Sequence, residues 1–197
     1  SGTVTANWED NSAPTKPILT SKVGGPSGDE YIPDTWINRN VYIEAKATDN
    51  VGVKSYQYQV NGTTGIWTEM PMANGIGSMT ITEEGIVTIY VRAVDAVGNV
   101  SEVESIIVKI DKTAPTGTVV INDDAMYVND TNVILTLTAQ DNLSEVTEMS
   151  ISNTPEAATF EPFSETKRWT LTSGDGQKTV YVVLKDAAGN MTSTIWE

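Results

Sequence analysis

Val41-Tyr42-Ile43-Glu44-Ala45-Lys46-Ala47-Thr48-Asp49-Asn50 is the stretch that decides the architecture. Val41, Ile43, Ala45 and Ala47 alternate with Tyr42, Glu44, Lys46 and Thr48. A period of two is that of a strand with one buried face. Ninety-two positions later the phrase returns as Val133-Ile134-Leu135-Thr136-Leu137-Thr138-Ala139-Gln140-Asp141-Asn142. Val133, Leu135, Leu137 and Ala139 keep the register, and the same Asp-Asn pair closes the strand.

Working outward, the two copies continue to correspond. Tyr90-Val91 recurs as Tyr181-Val182, and Asp95-Ala96-Val97-Gly98-Asn99 recurs as Asp186-Ala187-Ala188-Gly189-Asn190, both 91 positions on. Asp10-Asn11-Ser12-Ala13-Pro14 recurs as Asp111-Lys112-Thr113-Ala114-Pro115, 101 positions on. The first copy is therefore longer near its start. The insertion is placed at Val23-Gly24-Gly25-Pro26-Ser27-Gly28-Asp29-Glu30, whose composition is that of a loop. Fixed self-similarity is the mark of a repeat architecture. The boundaries read as a stub and linker at 1–12, module 1 at 13–110, a linker at 111–113 and module 2 at 114–197. Residues 1 to 9 resemble the last strand at Gly189–Glu197 and read as the end of a preceding repeat. The start, Ser1-Gly2-Thr3, carries no signal-peptide pattern, so the chain reads as a piece of a longer one.

Besides the opening strand pair, further strands are expected at 53–60, 78–82, 86–94 and 101–110, and at 146–152, 168–172, 178–185 and 191–196. Gly, Asn and Asp clusters separate them, and no segment has the period of an amphipathic helix. About ninety residues with about seven short strands imply an immunoglobulin-like sandwich. The expected fold class is all-β, two tandem immunoglobulin-like β-sandwiches. Three phrases add a family resemblance. Ala114-Pro115-Thr116 after an aspartate, Leu171–Gly176 before Thr179-Val180-Tyr181-Val182, and Asp186–Asn190 resemble the bacterial Ig-like repeats of secreted and cell-surface proteins. In the first copy, Tyr56–Gly62 followed by Trp67-Thr68 is similar to a close relative of that module. The resemblance implies an extracellular, cell-surface or secreted setting, in a Gram-positive bacterium. It also implies neighbouring repeats of the same chain as partners.

Composition removes several functions. The net charge of −14 repels phosphate backbones and anionic lipid, which argues against nucleic acid as a partner. No apolar run is long enough to span a bilayer. Without cysteine there is no disulfide, thiolate zinc site or thiol nucleophile, and without histidine no Ser-His-Asp triad. The chain is expected not to be an enzyme, and no catalytic residue is assigned.

The repeated aspartates are the candidate site. In such a sandwich the loop after the second strand and the last hairpin loop share one end. That brings Asp10, Asp49, Asn50 and Asp95 together in the first module, and Asp111, Asp141, Asn142 and Asp186 in the second, with Asp111 at the junction. Calcium takes six to eight oxygen ligands, and carboxylates, an amide and loop carbonyls supply them. The simpler account is turn formation. Asp and Asn side chains accept nearby backbone N–H groups, and Gly supplies a positive φ. Trp67, Phe160, Phe163 and Trp169 raise a second site type, an aromatic platform for a glycan, although Trp169 heads an alternating strand and suits the core. Trp8, Trp36 and Trp196 lie near module ends. The reading is a structural or adhesive spacer, calcium-stiffened at module junctions, that meets a glycan, host or cell-wall surface. The alternative is a carbohydrate-binding accessory of a secreted glycoside hydrolase.

Overall fold

The structure, a computed structural model, describes residues 10–156 and 159–197. The expected strand stub at residues 1–9, with Trp8, lies outside the described residues. The chain divides into two compact units, Ser1–Thr35 with Arg39–Ile110 and Trp36–Asn38 with Asp111–Glu197. No helix occurs among the described residues.

The first nine strands are β1 (Ile18–Val23), β2 (Trp36–Ile37), β3 (Val41–Lys46), β4 (Val53–Val60), β5 (Thr68–Met70), β6 (Met72–Ala73), β7 (Ile76–Ile81), β8 (Gly85–Asp95) and β9 (Glu104–Ile110). In the first unit one sheet has the order β1-β3-β7-β6, and the facing sheet runs β9-β8-β4-β5. The second unit carries β10 (Thr116–Ile121), β11 (Asn132–Gln140), β12 (Val146–Ser152), β13 (Glu161–Pro162), β14 (Thr166–Thr170), β15 (Tyr181–Asp186) and β16 (Ile195–Trp196). Its sheets are β10-β11-β14 and β13-β12-β15-β16. Matched in order, both units place the first, second and fifth main strands in one sheet and the rest in the other. This is an all-β, immunoglobulin-like sandwich, used twice.

The alternation that decided the reading holds in space. Val41, Ile43 and Ala45 are fully buried, while Tyr42 and Glu44 face partly outward. In the second unit Val133, Leu135 and Leu137 point into a core shared with Met149, Ile151, Val182 and Leu184. The units fill the same space differently. Tyr56 is completely buried in the first, opposite Ala93, and its hydroxyl accepts from Ala47 N at 2.8 Å and donates to Gly75 O at 3.2 Å. Met149 opposite Leu184 stands at the corresponding pair in the second. A large residue beside a small one has become two of middle size, which conserves core volume.

Some expected strands differ in extent. The last strands begin later than the alternation predicts, at Glu104 and at Ile195. The cause is one device used twice. Ser101 Oγ accepts Ala93 N at 2.8 Å, and Thr192 Oγ accepts Leu184 N at 3.1 Å. A hydroxyl takes the place of a main-chain carbonyl, so the pairing that begins at the Val94–Val100 and Lys185–Met191 bridges is interrupted before the continuous strand resumes. The opening strands β1 and β10 were not among those expected, because Ile18–Val23 and Thr116–Ile121 mix polar and apolar residues without a clean period.

Candidate metal centres

Each unit gathers three aspartates at one end. β3 leads through residues 47–52 into β4, whose first residue, Val53, pairs with Asp95 at the end of β8. This brings Asp49 beside Asp95, and the lead-in segment brings Asp10. One carboxylate oxygen from each of Asp10, Asp49 and Asp95 lies within 4.8 Å of the others. In the second unit Val146, the first residue of β12, pairs with Asp186 at the end of β15. Asp111, Asp141 and Asp186 meet within the same 4.8 Å limit. These are the two such groups among the described residues. Each lies wholly inside one unit.

Every aspartate first serves its own backbone. Asp95 Oδ1 accepts the N–H groups of Val97, Gly98 and Asn99 at 2.9, 2.6 and 2.8 Å. Asp49 Oδ2 accepts those of Val51 and Gly52, and Asp141 Oδ1 those of Leu143 and Ser144. Asp10 Oδ1 and Asp111 Oδ1 each accept the N–H two residues on, from Ser12 and Thr113. The turn account is therefore observed at all these positions. Gly98 and Gly189 have φ of 106° and 90°, in the left-handed region the hairpins require.

The turns use one oxygen of each carboxylate, and the second oxygens of Asp95, Asp111 and Asp186 accept from Asn99, Ser144 and Asn190. Asp10 Oδ2 and Asp141 Oδ2 are buried and have no hydrogen-bond partner among the described residues. Asp95, Asp111 and Asp186 are 0, 0 and 2% exposed. Two carboxylates at up to 4.8 Å repel by on the order of 3 kcal/mol at an effective dielectric of about 20, less where water reaches them. Burial, and then the Asp111 charge, push Asp141 above the usual carboxylate range against the N–H groups of Leu143 and Ser144. Asp95 goes the other way. Burial raises it, but the Asn99 amide and the N–H groups of Gly98, Asn99 and Val97 outweigh burial and hold it low. Buried anions with oxygens left over call for a proton or a cation between them. The donor set is all oxygen, which suits a hard cation such as calcium rather than a soft metal.

The two asparagines expected as ligands are placed differently. Asn50 Nδ2 donates to Asp10 Oδ1 at 3.1 Å, and Asn142 is exposed in its turn. The asparagines that matter most close the repeated phrase. Asn99 Nδ2 lies 2.7 Å from Asp95 Oδ2 and 3.0 and 3.1 Å from the carbonyls of Asp10 and Ser12. Asn190 Nδ2 does the same at Asp186 Oδ2, 2.8 Å, and Asp111 O, 2.9 Å. Each ties the last hairpin to the segment that leads into the unit. Ser144 adds a further clamp, its hydroxyl donating to Asp111 Oδ2 at 2.6 Å. The signal for these residues was the strict repetition of the closing Asn, which turn formation alone does not demand.

Trp67, Phe160, Phe163 and Trp169 are each engaged within their own unit. Phe163 and Trp169 pack against the second core, and Trp169 Nε1 donates to Asn153 Oδ1 at 2.9 Å. Trp67 is capped by the Arg92 guanidinium at 4.2 Å and Phe160 by the Lys185 ammonium at 4.4 Å. Trp196 is exposed at the edge of its sheet.

No protein-family model and no curated protein sequence matches this chain. Among solved structures, it is similar to the fibronectin(III)-like modules of CbhA from Clostridium thermocellum. The identity is 12%, the match covers 91% of each chain, and the TM-score is 0.45. It is also similar to a structure of a 1.5-MDa bacterial ice-binding adhesin described for host cell surface retention. There the identity is 18%, with 92% of this chain and 64% of that one covered, at a TM-score of 0.41.

Proposed function

We propose that this chain is a non-catalytic structural and adhesive spacer of a bacterial extracellular protein, with calcium held by the aspartate triads. The observation that carries the reading is the unpartnered buried oxygen in each triad, Asp10 Oδ2 and Asp141 Oδ2. In the second unit Asp111, Asp141 and Asp186 would hold the ion. Asp111 directly follows Ile110, the last residue of the first unit. Fixing it to Asp141 and Asp186 pins the start of the segment that joins the modules. Proline at 115 and the Asn190 clip restrict that segment further. Rigid linkage is the work a spacer performs. The resemblance of its repeated phrases to bacterial Ig-like repeats of secreted and cell-surface proteins supports an extracellular setting.

The test is a set of thermal melts in chelator, in millimolar calcium and in matched sodium chloride. Extracellular calcium modules bind in the ~0.1–1 mM range. Millimolar calcium at about ten times such a Kd adds about 1.4 kcal/mol, a rise of roughly 5–10 °C for a module of this size. Asp141→Asn is the informative variant, because an amide oxygen still accepts from Leu143 and Ser144. It is expected to raise the midpoint in chelator, by removing a repelling charge, and to lose the calcium response of the second unit. A calcium response undiminished in Asp141→Asn, or one matched by sodium alone, overturns the reading.

A further inference from the structure

The pole of the second unit opposite its aspartates carries a different feature. The β10–β11 loop, residues 122–131, and the β14–β15 loop, residues 171–180, enclose a cleft of about 810 Å³. That volume falls within the ~300–1,000 Å³ of small-molecule sites. Met126 and Tyr127 stand on one wall, 85 and 87% exposed. Two adjacent large apolar side chains so far in water form an exposed apolar patch beside the cleft.

The loop that presents them is built, not slack. Asn122, Asp123 and Asp124 have φ of 46°, 56° and 66°, three successive left-handed residues without a glycine. L-residues rarely adopt such a run, and it persists only when its surroundings impose it. Here Asn122 is clamped on both sides, its N–H donating to Ile134 O and its Oδ1 accepting from Ile134 N, each at 2.8 Å. Ala125 N closes the turn on Ile121 O at 3.1 Å. The turn holds Met126 and Tyr127 exposed at the rim of the cleft.

The other wall offers both kinds of polar group. Asp175 accepts hydrogen bonds, Gln177 donates and accepts, and Lys178 is anchored by its ammonium to Ser173 O at 3.1 Å. Asp130, on the near wall, accepts from Asn132. The surplus of carboxylates repels phosphates, sulfates and uronic acids. No group of metal-ligating side chains close enough to hold an ion lies here among the described residues. Acceptors alone would suit a cationic peptide. Interleaved donors and acceptors suit hydroxyls, each of which gives and takes a hydrogen bond, and an exposed ring suits the C–H face of a pyranose.

We infer that this cleft binds a neutral glycan, with the Tyr127 ring against a sugar face and Asp130, Asp175 and Gln177 taking hydroxyl groups. The inference is independent of the calcium reading, which uses the opposite pole. Isothermal titration of the full chain with cellohexaose, xylohexaose, mannohexaose and chitohexaose tests it, with hexalysine as the competing arm. The cello- and chito-oligosaccharides separate a plant-type glucan from a wall-type amino-sugar polymer as the source. At least one hexasaccharide is expected to bind in the micromolar to millimolar range, with little dependence on salt. Tyr127→Ala is expected to weaken it at least tenfold and leave the thermal midpoint unchanged, since the ring is exposed. Gln177→Ala is expected to shift preference among the sugars. The inference is overturned if none of the four binds at millimolar concentration, if hexalysine binds in their place, or if Tyr127→Ala binds as the parent does.

Discussion

At the scale of single residues, the repeated Asp-Ala-x-Gly-Asn phrase performs two tasks at once. Its aspartate folds the hairpin, and its asparagine ties that hairpin to a segment about eighty to ninety positions earlier in the chain. Asn190→Ala separates the two. It leaves Asp186 Oδ1 with the Asn190 N–H but strips Asp186 Oδ2 and Asp111 O of the amide. An acceptor left unsatisfied in a buried site costs roughly 1–3 kcal/mol. Denaturant unfolding is expected to show a loss in that range at unchanged slope. Hydrogen exchange at the Thr113 amide, which binds Asp111 Oδ1, is expected to quicken. An unchanged rate at Thr113 together with unchanged stability would mean that the asparagine only fills the turn.

At the scale of elements, the first sandwich depends on a close approach that its sequence conceals. Gly77 in β7 lies against the Tyr56 ring. A Cβ there would sit 2.7 Å from a ring carbon and 3.0 Å from Met70 Sδ. Tyr56 is held by two hydrogen bonds through its hydroxyl and has little room to yield. Gly77→Ala is therefore expected to destabilise the first unit by about 1–3 kcal/mol through overpacking, although alanine suits a strand better than glycine does. Equilibrium unfolding of Gly77→Ala beside the double variant Gly77→Ala/Tyr56→Leu checks this. If contact is the cause, the smaller partner recovers part of the loss, and the two changes are not additive. The Asn74-Gly75 turn before β7 works by ordinary hairpin chemistry, with φ of 52° and 79° at its two central residues.

At the scale of the whole molecule, the buried tyrosines are expected to set the alkaline limit of stability. Burial raises the pKa of Tyr31 and of Tyr56, against the N–H groups that their hydroxyls accept from. A phenol with a raised folded pKa contributes stability that is complete below the unfolded value of about 10. That stability is lost as pH rises through the folded value. Both hydroxyls also donate to carbonyls, Tyr31 to Thr35 O at 2.7 Å and Tyr56 to Gly75 O at 3.2 Å, and only the protonated form can do so. Stability is expected to be flat from pH 7 to 9 and to fall above about pH 10, by at most ~1.4 kcal/mol per pH unit per tyrosine. Tyr56→Phe is expected to begin less stable at pH 8 and to fall less steeply. An alkaline limb as steep in Tyr56→Phe as in the parent would place the titrating group elsewhere.

What the sequence determined by itself was whatever depends on period and repetition. Alternation from Val41 to Ala47 and from Val133 to Ala139 is enough to specify buried strand faces, because a one-residue slip turns every apolar side chain outward. The repeat, once read as an immunoglobulin-like sandwich, is enough to place Asp49 with Asp95 and Asp141 with Asp186, because that fold puts the loop after its second strand and its last hairpin loop at one end. The tertiary structure decided what depends on one atom's direction. It turned Asn50 into a donor to Asp10, gave Asn99 and Asn190 the clamping role, and left Asp10 Oδ2 and Asp141 Oδ2 without partners. It also delayed β9 and β16 through a hydroxyl in the ladder and raised Tyr127 over a cleft on a left-handed turn. These outcomes rest on hydrogen bonds between residues far apart in the chain, whose geometry no local pattern encodes.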